Sequence, residues 1–252
     1  MEMPLIIDAE QRLCSPHSFS LEKDFEAEIK LWTYSFKVGT NVVHTSYSML
    51  SRDERDRADR IQKTMVRDRF VIVRAGLRQL LARYLDTEPN EVAFAYGDHG
   101  KPYLNTSNLS FNVSHSGNMA AYVVSCGRKV GVDVEFVGRK VSHEQIARRF
   151  FAREETAALQ AEPEEKRSRV FFGIWTLKEA YLKARGTGIS IPLDSFAVGL
   201  GGQSEKLLRE DGDPEASARW KLVSVDIYAD YVAAVCGEGQ DWQVGCYKWP
   251  EP

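Results

Sequence analysis

Two stretches of the chain concentrate residue types that do chemistry. The first is KVGVDVEF, Lys129–Phe136. Side chains alternate across a strand, so Val130, Val132, Val134 and Phe136 share one face and Gly131, Asp133 and Glu135 the other. Two carboxylates two residues apart on one face repel and call for neutralisation. A hard divalent cation such as Mg²⁺ suits them, with water and substrate phosphate as its remaining ligands. On the dipeptide alone a solvated face or a nearby arginine is the plainer reading. The second stretch is GIWTLKEAYLKARGTG, Gly173–Gly188. Phe171, Ile174, Trp175 and Leu182 fall on one helical stripe, and Lys178 sits inside it. Glu179 lies four residues from both Trp175 and Lys183. Buried charges need partners. A surface ion pair with Lys178 snorkelling to water meets that need. So does a polar site in which Glu179 joins Asp133 and Glu135, and Lys178 and Lys183 bind an anionic substrate.

Smaller signals surround these two. GDHGKPYL, Gly97–Leu104, sets Lys101 between a glycine and a proline, a fixed turn presenting one cation. FNVSHSG, Phe111–Gly117, puts Ser114 and His115 at a strand end, where both can donate to a phosphate or simply cap a turn. Between Arg52 and Arg83 ten basic residues, Arg57 and Arg69 among them, face five acidic ones. Most must belong to solvated helix faces, and a few can meet a multiply charged ligand.

The elements that position these groups follow from periodicity. Strand alternation marks Ile29–Phe36, after a polar opening segment read as loose. Ser51 with Glu54 forms a capping box. Helices are expected over Arg52–Lys63 and Arg67–Tyr84, then strands over Val92–Tyr96, Leu109–His115, Met119–Ser125 and Lys129–Glu135. The order repeats with helices over His143–Gln160 and Glu164–Arg185, closed by Gly186–Gly188. Strands return over Ser195–Leu200, Lys221–Ile227, Tyr231–Cys236 and Trp242–Trp249, and Gly201–Ala216 reads as an exposed loop. Helices followed by a strand meander, twice over, give an α+β chain of two similar halves, residues 1–128 and 129–252.

With 252 residues, 43% of them hydrophobic, the chain can bury a core without staples. A net charge of -3 gives no global reason to expect a nucleic-acid or membrane partner. Four scattered cysteines without a paired motif read as reduced thiols of a cytoplasmic protein. No signal peptide is expected at the N-terminus.

GVDVE (Gly131–Glu135) followed by WTLKEAYLK (Trp175–Lys183) resembles the paired motifs of the 4′-phosphopantetheinyl transferases, G-[IV]-D-x-E and W-x-x-K-E-x-x-x-K. GKP and FNVSHSG upstream, and GTGISIPLDSF (Gly186–Phe196) downstream, are similar to the larger, surfactin-synthetase-type branch. The resemblance implies two α+β halves with the active site in the cleft between them. It implies transfer of the phosphopantetheine arm of coenzyme A to a serine of an apo acyl or peptidyl carrier protein, releasing adenosine 3′,5′-bisphosphate. Asp133, Glu135 and Glu179 would hold Mg²⁺, with Mn²⁺ accepted, and Glu179 or a water beside it would deprotonate the serine. Lys183 would bind phosphate oxygens, and Lys101, Ser114 and His115 the nucleotide phosphates. Arg69, with Arg57, would meet the 3′-phosphate side. Glu54 stands where the family often has a base. A monomer is expected, since the family's short branch builds its sites between subunits and this chain is about twice as long. Two rivals share the residues: a magnesium-dependent nucleotide pyrophosphatase, and a silent carrier-binding module.

Overall fold

A computed structural model describes residues 27–200 and 206–249. The polar opening segment and Cys14 lie outside the described residues. The chain runs through one strand, three helices, a two-stranded ribbon and a hairpin: β1 (Glu28–Ser35), α1 (Thr40–Ser48), α2 (Arg52–Asp59), α3 (Thr64–Leu85), β2 (Ala95–Tyr96), β3 (Pro102–Tyr103), β4 (Leu109–Ser116) and β5 (Met119–Cys126). It then repeats the plan with β6 (Val130–Phe136), α4 (His143–Phe150), α5 (Arg153–Ala161), α6 (Glu164–Arg185), β7 (Phe196–Gly199), β8 (Lys206–Glu210), the single turn α7 (Ala216–Arg219), β9 (Trp220–Tyr228) and β10 (Tyr231–Glu238). A last strand, β11 (Gln243–Lys248), returns to pair in parallel with β1.

The repeat extends to strand register. Strand β5 pairs antiparallel with both β1 and β4, and β10 pairs antiparallel with both β6 and β9. The sheets run β11-β1-β5-β4 and β6-β10-β9. Alternation then makes the layers. Ile29, Leu31 and Val123 face Val132, Val134 and Val235 in a core between the two sheets. Trp32, Tyr34 and Tyr122 point outward under α3, beside Leu77 and Leu81. Ala234 and Cys236 do the same under α6, beside Leu177 and Tyr181. At about 25 cal/mol per Å² of apolar surface, these three layers supply most of the drive to fold. Among the described residues no helix is long and apolar enough to cross a membrane.

Several elements differ from expectation. The helix α1 was not expected, because TNVVHTSYS is rich in β-branched residues and serine, all weak helix formers. It is held by packing on α3, through Val42 and Val43. The expected helix His143–Gln160 breaks at Phe151 and Ala152, both extended, so α5 begins afresh. The Glu155 carboxylate accepts from the Ala152 N–H at 2.8 Å and caps that new start. Val92–Tyr96 shrinks to the two residues of β2. The expected loop Gly201–Ala216, where described, holds β8, whose Leu207 is buried beside β7.

Candidate active site

The site begins where β4 and β6 run side by side at the junction of the two repeats. They belong to different sheets, and side chains do the joining. Asn112 Oδ1 accepts the Val132 N–H at 3.0 Å. The Ser114 hydroxyl donates to Asp133 Oδ1 at 2.7 Å, and the Ser116 hydroxyl to Glu135 Oε2 at 2.7 Å. Alternation on β4 therefore meets alternation on β6, serine to carboxylate, two residues apart on each side.

The other wall is the second half of α6, residues 171–184, which is buried on every side but one. Trp175, Glu179 and Lys183, spaced four apart, are half-buried while their neighbours are almost all buried. This row faces the carboxylates of β6. Gly131 permits the approach, since a Cβ there would lie 2.1 Å from the Ala180 carbonyl oxygen. Lys183 Nζ reaches Asp133 Oδ1 at 2.7 Å and Ser114 Oγ at 3.1 Å. Arg139 Nη1 holds Glu135 at 2.9 Å. Among the described residues Glu179 has no such cation. Burial raises its pKa most, the Asp133 charge and then the Glu135 charge raise it further, and only Lys183 pulls it down. A cleft of about 310 Å³ opens here, lined by Lys101, Asn112, Glu179 and Lys183 from both repeats.

The structure sorts the expected site residues. It brings Asp133, Glu135, Glu179, Lys183 and Ser114 together. His115 is near: partial crowding by the protein lowers its pKa most, and the Lys183 and Arg69 charges lower it further, against a smaller raise from Asp133. Arg69 donates to Asn118 Oδ1 at 3.2 Å, at the β4–β5 turn. Arg57 stays apart on α2, over the Phe70 ring with 5.1 Å to its centroid.

One expectation is corrected, and two residues carry contacts that the sequence did not foretell. Lys178 faces no cleft: it is wholly buried on the opposite side of α6, with Nζ 2.6 Å from Glu155 and 2.7 Å from the Phe196 carbonyl oxygen. The apolar stripe around it is the true core, and Glu155 supplies the counter-charge that a buried ammonium needs. Lys101, expected at the nucleotide phosphates, donates to the carbonyl oxygens of Val130 and Lys183, at 3.0 and 2.5 Å. The Ser114 hydroxyl is committed to Asp133 and Lys183. The sequence reading missed Ser116, Asn112 and Arg139. Ser116 repeats the two-residue spacing of Asp133 and Glu135, a signal present in FNVSHSG. Arg139 had none, since it follows the strand in a turn.

Whether these residues suit a divalent cation can be tested on the atoms. Asp133 Oδ2 is buried with no hydrogen-bond partner. The donors are all carboxylate oxygens, the set that Mg²⁺ takes. Among the described residues no three acidic, histidine or cysteine side chains yet surround one point. Lys183 and Arg139 each hold a carboxylate of β6, at 2.7 and 2.9 Å. The donor chemistry and the orphaned oxygen fit a cation; its coordination requires those two cations to give way.

The chain is 34% identical to HetI, a 4′-phosphopantetheinyl transferase of Nostoc sp. strain PCC 7120, over 92% of this chain and 95% of that one. It belongs to the 4′-phosphopantetheinyl transferase superfamily. The superfamily profile of that description matches residues 129–236, and one described as the N-terminal part of a 4′-phosphopantetheinyl transferase matches residues 38–127. The transferase Sfp of Bacillus subtilis strain 168 is 29% identical, over 77% of this chain and 85% of its own length. The holo-[acyl-carrier-protein] synthase of Thermotoga maritima overlays 44% of this chain and 63% of its own, with 20% identity and a TM-score of 0.36, too loosely to bear on the site.

Proposed function

We infer that Asp133, Glu135 and Glu179 hold a divalent cation, Mg²⁺ with Mn²⁺ as substitute, and that Glu179 takes the proton of the acceptor serine. The protein is a coenzyme A-dependent 4′-phosphopantetheinyl transferase. Its acceptor is a carrier-protein serine, whose oxygen attacks the phosphorus bearing the pantetheine arm. The pyrophosphate P–O bond breaks, and adenosine 3′,5′-bisphosphate leaves. Phosphoryl transfer asks mainly for positioning and charge neutralisation. When bound, the cation supplies Lewis-acid stabilisation of the pyrophosphate.

The chain's own residues do the rest. Lys183 sits where it can pass from Asp133 to a phosphate oxygen. His115 and Arg69 add positive or hydrogen-bonding groups on the same side, and Ser114 and Ser116 keep the carboxylates aimed at α6. Glu179 faces the cleft with a raised pKa, which moves a carboxylate toward the range of a useful general base. The observation that supports this reading is the Asp133 oxygen buried without a partner, opposite Glu179, which has no ion pair either, both among the described residues. We place the protein in the cytoplasm, which suits the unpaired Cys126, Cys236 and Cys246, and as a monomer with one site at the junction of its repeats.

A Mn²⁺ titration followed by electron paramagnetic resonance tests the cation. The wild type should take one ion and Asp133→Asn should lose it, and excess chelator should abolish transfer. Full transfer in chelator, or equal Mn²⁺ binding by both proteins, would overturn the assignment. Release of free phosphopantetheine with no acceptor present would favour hydrolysis over transfer.

A further inference from the structure

We propose that Lys101 is a positioning residue that staples the end of the catalytic helix to the start of the carboxylate strand. It rests on the transferase reading above. An ammonium has three donors. Lys101 aims all of its own at backbone oxygens: Val130 at 3.0 Å, Lys183 at 2.5 Å and Ala184 at the outer limit of 3.5 Å. Val130 is the first residue of β6. Lys183 and Ala184 belong to the last turn of α6, whose carbonyls have no partner within the helix. A cation at a helix C-terminus also meets the negative end of its dipole. Gly186 ends the helix in the left-handed region at φ 72°, and its N–H bonds back to Leu182. That turns the chain away and leaves the next two carbonyls open to Lys101.

The staple comes from the first repeat and closes on the second. The turn around it is itself fixed: Gly97 N–H donates to the Lys101 carbonyl at 3.0 Å, and Gly100 N–H to Gly97 at 2.8 Å. Its two anchor points bracket the site, since β6 carries Asp133 and Glu135 while α6 carries Glu179 and Lys183. The spacing between those groups is thus set at one end by Gly131 against Ala180 and at the other by Lys101. With its donors committed, Lys101 governs how well the reacting groups are aligned and leaves coenzyme A affinity to Arg69, His115 and Lys183.

Lys101→Met keeps the stem and deletes the donors. Initial-rate kinetics with coenzyme A and an apo carrier should show kcat reduced about tenfold to a hundredfold, the scale of a misplacement near 1 Å. The coenzyme A KM and the calorimetric Kd should stay within about threefold, and Lys101→Arg should restore part of kcat through its longer fork of donors. A Kd raised tenfold or more with kcat retained at saturating coenzyme A would make Lys101 a phosphate ligand and overturn the proposal. The wild type alone gives a second arm, needing no variant to fold. The ¹⁵N resonance of the Lys101 ammonium should be visible without ligand and hold its shift when coenzyme A saturates the site. A large shift on binding would contradict the staple. A wild type that transfers nothing would instead sink the transferase reading, and the resonance would still judge Lys101.

Discussion

The two 22-residue helices, α3 and α6, carry a buried cation at the same place. Arg78 is the fifteenth residue of one and Lys178 the fifteenth of the other. Each pairs with a glutamate that caps the preceding short helix: Arg78 with Glu54 at 2.5 Å, Lys178 with Glu155 at 2.6 Å. Each glutamate also accepts the backbone N–H three residues before it, at Ser51 and Ala152. Each cation reaches onward to a carbonyl, Val92 or Phe196, where the chain leaves the helix. The repeats thus share an internal ionic knot that orients the long helix on its sheet.

One residue further along, the halves diverge. Position 79 is Gln where 179 is Glu, and 83 is Arg where 183 is Lys. Trp32 and Tyr34 of β1 lie on the face of their sheet turned to α3, as Asp133 and Glu135 of β6 lie on the face turned to α6. In the first half those places are filled by aromatic packing, with Tyr247 stacked on Trp32 at 4.8 Å. In the second half they are carboxylates beside β4. The comparison teaches that the scaffold is duplicated and the chemistry is not: β11 covers the first strand with rings, while β4 offers the second one serines.

Breaking the second half's carboxylates should have the largest effect. Asp133→Ala should lower transfer at least about a thousandfold, because it removes both the orphaned oxygen and the partner of Lys183. Circular dichroism should show the fold retained, and loss of fold would assign Asp133 to the scaffold instead. Glu179→Gln should cost about 10²–10⁴ in kcat, the usual worth of a general base.

The same change should stabilise the ligand-free protein. The folded pKa of Glu179 is raised, so the folded state binds its proton more tightly than the unfolded state does. Above the folded pKa the ionised group therefore costs stability, which glutamine relieves. Calorimetry at pH 7 should show a raised Tm, with the gain gone below the ordinary unfolded carboxylate range. A lower Tm at pH 7 would mean that the charge is satisfied.

The knots sharpen the comparison. Lys178→Met and Arg78→Met should each destabilise by about 3–5 kcal/mol, the cost of leaving a buried partner unpaired, as read by urea unfolding. Adding Glu155→Gln to Lys178→Met should recover part of that loss with coenzyme A KM unchanged. A raised KM in the double variant would return Lys178 to the substrate. The smallest effect belongs to Gln79→Glu, the first half's counterpart of Glu179. Its activity should stay within about twofold, with stability changed by about 0.5 kcal/mol or less.

Much of this was legible in the sequence because it is local. Alternation placed Asp133 and Glu135 on one face, helical spacing put Glu179 beside Lys183, and α6 spans the expected Glu164–Arg185. Lys178 was misread because period alone tells which side of a helix is apolar, and a buried cation on that side looks like a cleft until its partner is known. Glu155 lies 23 residues away on another helix, where no local pattern links it to Lys178. The contacts of Lys101 were hidden for a similar reason: its turn is visible, but carbonyl oxygens 29 and 82 residues away are not. The seam between β4 and β6 joins the two repeats by side chains, and backbone propensity carries no trace of it.

The most direct test of the whole account is the intact mass of an apo carrier protein after incubation with coenzyme A, Mg²⁺ and this protein. A panel of acyl, peptidyl and aryl carriers covers the acceptor. With the wild type, at least one carrier should gain a single phosphopantetheine, on its serine, and with Asp133→Ala or Glu179→Gln none should within the same time. No gain on any carrier with the wild type, or an undiminished gain with either variant, would contradict a transferase centred on the carboxylates of β6 and α6.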